Sequence, residues 1–255
     1  MTRLLRVCIL ALLAEPLAAS GDAVPDTWWP HIQESFFAGQ PIQDGEPFIR
    51  LHAPERAEDA SLTPFSFQVE LPPGDALKRA YLFTDANPIP LTALFHFPDS
   101  THQADISTRI RLDKNSYVRV IAETTAGRLF MHRIAIKTPG GGCGGGVGGD
   151  EASLRQQAGR IKLKTEPGAI GFHIRHPMRT GFERTPMGYY AKAWFINRLD
   201  FSMNGHPILG IDIGPGISAD PYFRIGYPGA EPGRIAVEAA DNEGNRYTQN
   251  DHQGD

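Results

Sequence analysis

Eight of the ten residues from 140 to 149 are glycine, in the run Pro139-Gly-Gly-Gly-Cys-Gly-Gly-Gly-Val-Gly-Gly. Glycine adds no side chain to a core and loses the most conformational freedom on ordering, so this run cannot lie inside a helix or a central strand. It divides the 255-residue chain into two stretches, each long enough for one compact domain of about 100 residues.

On both sides of the run the apolar residues alternate in short segments. Before it they fall at 48–51, 65–71, 79–83, 94–97, 106–112, 117–123 and 129–136, separated by turn formers such as Pro72-Pro73-Gly74, Asn87-Pro88 and Ala126-Gly127. After it they fall at 160–164, 170–174, 193–196, 199–203, 208–213, 222–225 and 234–239, with Asn204-Gly205 as a type I′ hairpin signal. About seven short strands at even spacing in each half predict an all-β protein of two immunoglobulin-like antiparallel β-sandwiches joined by a glycine-rich arm. A short helix is expected within 28–39 and a polar, briefly helical linker within 150–159. The expected division is a leader at 1–20, a first sandwich at 28–138, the arm and linker at 139–158, and a second sandwich at 159–250.

The leader reading rests on Arg3 and Arg6, the apolar run Val7 to Leu13, and the small residues Ala18, Ala19 and Ser20. That is the pattern of a secretory signal, too short to span a membrane, and it places the mature chain in the periplasm. Cys8 lies within that apolar run, so its removal leaves Cys143 as the remaining cysteine and excludes an internal disulfide. The formal charge of −4, with no lysine cluster, gives no footprint for nucleic acid.

A thiol flanked only by glycines suits an exposed, mobile arm, with Gly140, Gly141, Gly142, Gly144, Gly145 and Gly146 supplying slimness and freedom. On such an arm the thiol should keep an ordinary pKa near ~8.5 and lack a fixed activating base, which favours a covalent attachment point over a catalytic nucleophile. A cysteine-dependent redox or transferase enzyme and a protein that uses Cys143 only for an intermolecular disulfide are the competing readings. Arg109, Arg111 and Arg119 alternate with aliphatic residues, so their guanidiniums should face outward, as a solvated stripe or as contacts for an anionic adduct or a partner. His173 and His176 point to opposite faces of a strand, so no shared metal is expected. No catalytic residue, metal or cofactor is expected either.

The residues Gly141-Gly142-Cys143-Gly144-Gly145 resemble the swinging-arm motif of SoxY, the sulfur-carrying subunit of bacterial sulfur oxidation. Leu51-His-Ala-Pro54, Asn87-Pro-Ile-Pro90, Thr108-Arg-Ile-Arg-Leu112 and Val118-Arg-Val-Ile-Ala-Glu123 fit the same subunit. His176-Pro-Met-Arg-Thr-Gly181, Phe201-Ser-Met-Asn-Gly205, Ile217-Ser-Ala-Asp-Pro221 and Asp241-Asn-Glu-Gly244 resemble its partner, SoxZ. The whole is similar to fused SoxYZ-like carriers associated with quinoprotein dehydrogenases. The resemblance implies a non-catalytic periplasmic carrier with a sulfur group on Cys143. It would be served by sulfur-oxidation enzymes or a quinoprotein dehydrogenase system. The two halves would pair within a monomer that could dimerise through Cys143. In this chain the arm is tethered at both ends, unlike a free C-terminal tail.

Overall fold

A computed structural model describes residues 24–146, 148–227 and 233–250. The expected leader lies outside the described residues. In the first half, β1 (Ile42–Asp44), β4 (Leu77–Thr84), β5 (Leu91–His96), β7 (Ser116–Thr124) and β8 (Leu129–Ile136) form one layer. The facing layer is β2 (Ile49–His52), β3 (Thr63–Glu70) and β6 (Gln103–Ile110). In the second half, β11 (Ile196–Met203), β12 (His206–Ile213), β14 (Ile235–Asp241) and β15 (Arg246–Asn250) face β9 (Ile161–Glu166), β10 (Ala169–Ile174) and β13 (Tyr222–Gly226). Strand β3 shows why the alternation folds this way: Thr63, Phe65, Phe67 and Val69 are buried while the residues between them face outward.

The two sandwiches are joined edge to edge in both layers. Strand β5 pairs antiparallel with β12, Phe95 opposite Ile211, and β6 pairs antiparallel with β13, Ile106 opposite Ile225. The result is one nine-stranded sheet, ordered β1-β8-β7-β4-β5-β12-β11-β14-β15, over one six-stranded sheet, ordered β2-β3-β6-β13-β10-β9. Their cores merge. Phe67 and Phe95 of the first half meet edge to face at 5.2 Å, Phe95 meets Phe223 of the second half at 6.4 Å, and Phe172 meets Phe201 at 5.3 Å. Such pairs are worth about 0.5–1.5 kcal/mol each beyond the area they bury.

The helix α1 (Trp29–Phe37) closes on a left-handed Ala38 and lays Ile32 and Phe37 over Phe83, Ile121 and Leu129 on the outer face of the nine-stranded sheet. This helix corrects the expected exposure of Arg119. Its side chain does leave the sandwich core, as the alternation requires, but α1 and the segment before it cover that face. Arg119 is wholly buried, with Nε donating to Asp85 at 2.7 Å, an ion pair to Asp26, and the Trp29 ring 4.4 Å from the guanidinium carbon.

Two expected strands, 193–196 and 199–203, are one strand, β11, entered from Ala193 and Trp194, which lie before it; Trp194 bridges Arg179 instead. Strands β1 and β15 carry too few apolar residues to show in the sequence. Asn204 and Gly205 both take positive φ in the β11–β12 turn, as the hairpin signal requires.

Candidate functional site

The arm is docked. Between β8 and the helix α2 (Glu151–Gln157), the chain runs back along the segment that follows β6. Gly141 N–H donates to Asp113 O at 2.9 Å, Gly142 N–H to Leu112 O at 3.0 Å, and Gly144 N–H to Gly141 O at 3.1 Å. Gly141 sits at φ 77° and Gly145 at φ 106°, a region that strains residues with a Cβ. At Gly142 the requirement is space: a Cβ there would lie 2.2 Å from Ala60 O and 2.7 Å from Leu112 O. Gly146 and Gly148 have room, with nothing within 4 Å of an added Cβ, and at Gly144 the nearest atom would be Phe182 O at 4.0 Å.

The other wall of the cradle comes from the second half. Arg184 N–H donates to Gly145 O at 2.7 Å, and the Thr180 hydroxyl lies 2.7 Å from Cys143 O. Glu183 fixes that turn, its carboxylate accepting from the backbone of Thr180 at 2.9 Å and of Gly181 at 3.0 Å. Glu183 also lies 2.9 Å from the Thr180 hydroxyl, whose single proton serves one of the two acceptors at a time.

Arg111 ties the three pieces together. It is buried rather than outward, because it stands just past the end of β6 where the arm and the second half close over it. Its Nη1 donates to Gly142 O at 3.1 Å, Nη2 to Met178 O at 3.1 Å, and Nε to Ile217 O at 3.3 Å. A guanidinium spends its fork on carbonyls from both halves, which leaves no free donor pair for an anion. Arg109, two residues earlier, is half-buried; it donates from Nη2 to Asp220 O at 2.8 Å, and its guanidinium carbon is 5.6 Å from the centre of the Tyr222 ring. Of the three arginines in the stripe, only Arg111 reaches the arm.

Cys143 is 4% exposed and unpaired. Burial, then the nearby carboxylates of Asp113 and Glu183, pushes its thiol up to about 12, and the Arg111 cation offsets only part of this. The ordinary thiol expected of a solvated arm is therefore absent from this conformation. Glycine suggested mobility, but here it allows close packing of backbone on backbone. The residues that seat the arm around Cys143, Thr180, Glu183 and Ala60, were not singled out from the sequence. The one signal was the stretch His176 to Gly181, which contains Thr180 and Met178. Within it His176 is structural: it is buried, its Nδ1 accepts from Met178 N–H at 3.2 Å, and desolvation pulls it down to about 4. His173 sits apart, in an open groove of about 790 Å³ with Arg109 and Tyr222. Among the described residues, no group of three or more His, Cys, Asp or Glu could hold a metal.

The model of the sulfur oxidation protein SoxY matches residues 33–143, and that of the sulphur oxidation protein SoxZ matches residues 158–252. The chain is a fused SoxYZ-like protein. Its SoxY half ends on Cys143, and the cradle that receives the thiol is shared with the SoxZ half. Among solved structures it is similar to the sulfur carrier protein SoxY from Chlorobium limicola f thiosulfatophilum, at 23% identity over 43% of this chain and 90% of that one, with a TM-score of 0.35. It is also similar to a superoxide reductase (neelaredoxin) from Ignicoccus hospitalis, at 17% identity over 36% of this chain and 80% of that one, with a TM-score of 0.27. No curated protein matches it.

Proposed function

We propose that this SoxYZ-like protein is a periplasmic carrier that holds a sulfur-containing group covalently on Cys143 and presents it to separate enzymes. The observation that carries the reading is the way Cys143 is held. The cradle is built almost entirely of hydrogen bonds to backbone carbonyls, from Gly141, Gly142, Arg111, Thr180 and Arg184, and such contacts can be broken and remade without disturbing either sandwich core. A catalytic cysteine needs the opposite environment, one that lowers the thiol pKa through a base or cation. Here the carboxylates and burial raise it. A thiol so placed is protected while docked and becomes an ordinary nucleophile when the arm leaves. A disulfide to another chain likewise requires the arm to undock first. The enzymes served belong to a sulfur-oxidation or quinoprotein dehydrogenase system.

Intact mass of protein isolated without reductant tests this. The expected result is an added mass on Cys143 that a phosphine reductant removes and that Cys143→Ser never carries. An unmodified protein that turns over a substrate by itself would replace the carrier with an enzyme. A doubled mass lost on reduction would replace it with a disulfide-linked dimer.

A further inference from the structure

Arg109 carries a charge that no carboxylate answers. Its Nη2 donates to Asp220 O at 2.8 Å, but the Asp220 carboxylate is committed elsewhere: Oδ1 accepts from His176 N–H at 2.9 Å, and Oδ2 pairs with Arg175. Nε of Arg109 has no hydrogen-bond partner, and the guanidinium makes no ion pair among the described residues. The Asp220 carbonyl and the nearby Tyr222 ring nevertheless hold the side chain in one place. A fixed, half-buried guanidinium in this state is ready to receive an anion.

It stands at the groove of about 790 Å³ on the outer face of the six-stranded sheet, within the roughly 300–1,000 Å³ typical of small-molecule sites. Alternation turns Ser66 of β3 and Ser107 of β6 outward, and the register sets them directly opposite each other, with His52 of β2 opposite Ser66. Two small side chains among larger ones leave a hollow there. Tyr222 of β13 and His173 of β10, also opposite each other, form one wall, and Pro54 and Pro64 form the other. One wall comes from each half, so the hollow depends on the pairing of β6 with β13. No carboxylate lines it, and its chargeable groups are Arg109, His52 and His173. Burial pulls the His173 pKa down; Asp220 opposes this, while the Arg109, Arg175 and Lys162 cations add to it. The ring is therefore neutral at pH 7 and sits in a field that favours negative charge.

The geometry points to a binding site for a small organic acid, its carboxylate meeting Arg109 and its flat apolar body lying over Ser66 and Ser107 between the Pro64 and Tyr222 rings. The charge of the lining selects an anion over a cation. An open groove walled by proline and tyrosine rings suits a flat body, and a bare inorganic anion would leave those walls wet. None of these side chains bonds the arm, so the site is independent of what Cys143 carries.

Isothermal titration of the full chain at pH 7 tests this, with naphthalene-2-carboxylate as the probe and naphthalen-2-ylmethylammonium as a cation of the same shape. We expect one carboxylate to bind per chain, and the ammonium to bind weaker by about tenfold or more. Arg109→Met should lower the carboxylate's affinity by about tenfold or more, the worth of one charge-assisted hydrogen bond, and Arg109→Lys should recover part of it. Ser107→Phe fills the hollow from an outward strand position, leaves the Arg109–Asp220 bond in place, and should abolish binding even if Arg109→Met fails to fold. Arg198→Met, at an exposed arginine of β11, should leave binding unchanged. Equal affinity for the two probes would reduce the groove to an apolar surface and overturn the assignment. So would carboxylate binding that survives Ser107→Phe, or no binding at millimolar concentration.

Discussion

Gly142→Ala should make the thiol more reactive, not less. The new Cβ would fall 2.2 Å from Ala60 O, a separation that no real contact tolerates and that rigid backbone on both sides cannot relieve. The arm must lift, giving up the bonds from Gly141 and Gly142 to Asp113 and Leu112 and the one from Arg111. Once solvated, the thiol falls from about 12 toward its ordinary ~8.5. At pH 8 the ionised fraction then rises from roughly 10⁻⁴ to a few tenths, so the rate with dithionitrobenzoate should rise by about a thousandfold before any gain in access. The sign with pH follows. The raised native pKa means that the undocked arm releases its proton first, so docking weakens as pH climbs above ~8.5. Gly146→Ala, where a Cβ meets nothing, is the control and should react as wild type. Melting should move little, since neither core is touched. If wild type and Gly142→Ala react within threefold of each other at pH 8, the docked arm is not the resting state and the argument fails.

Thr180→Val should give a smaller increase, about fivefold, by removing one neutral hydrogen bond of roughly 1 kcal/mol from the cradle; an unchanged rate would take Thr180 out of the latch. His176 stays neutral down to about 4 while the unfolded chain takes up its proton near ~6.5, so stability should be full above pH 6.5 and fall by up to about 3 kcal/mol toward pH 4, with His176→Asn flattening the slope in urea titrations. Arg119→Met strands the buried Asp85 carboxylate, itself pushed up to about 6 by burial, and should cost about 3–5 kcal/mol in denaturant unfolding; a loss under 1 kcal/mol would mean that Asp85 finds water. Cutting the chain within 145–149 should leave two fragments that co-elute at micromolar concentration, because β5–β12 and β6–β13 hold them. Separation in mild salt would contradict that pairing.

The strands and the two-sandwich class were legible because half-buried strands write a period of two, as in Thr63 to Glu70. What alternation reports, however, is only which face of its own sheet a residue occupies. It says nothing of what lies over that face, and for Arg119 the answer was α1. Arg111 and the thiol were opaque for a related reason. Their surroundings come from residues 60, 112, 178 and 183, brought together by tertiary contacts that leave no local pattern. A glycine run is equally ambiguous: the same absence of side chains that frees a solvated loop lets a backbone lie flush against another. Only a neighbouring carbonyl 2.2 Å from an added Cβ distinguishes the two.

The joined edges also bear on how the molecule can be made. His96 and Asp212, which bond across the β5–β12 seam, are 116 residues apart in the chain. Loop closure over such a span delays the seam until both halves exist, and folding dominated by distant pairings is slow. Until then β5 and β6 present unpaired strand edges, as do β12 and β13, and each is a template for another chain's strand. A single polypeptide lessens that hazard by keeping the complementary edge always within reach, at a local concentration that two freely diffusing subunits attain only when abundant. In this chain the glycine segment is therefore a tether for assembly as well as a seat for the thiol, and lengthening it should slow recovery from denaturant and favour aggregates before it alters anything about the finished protein.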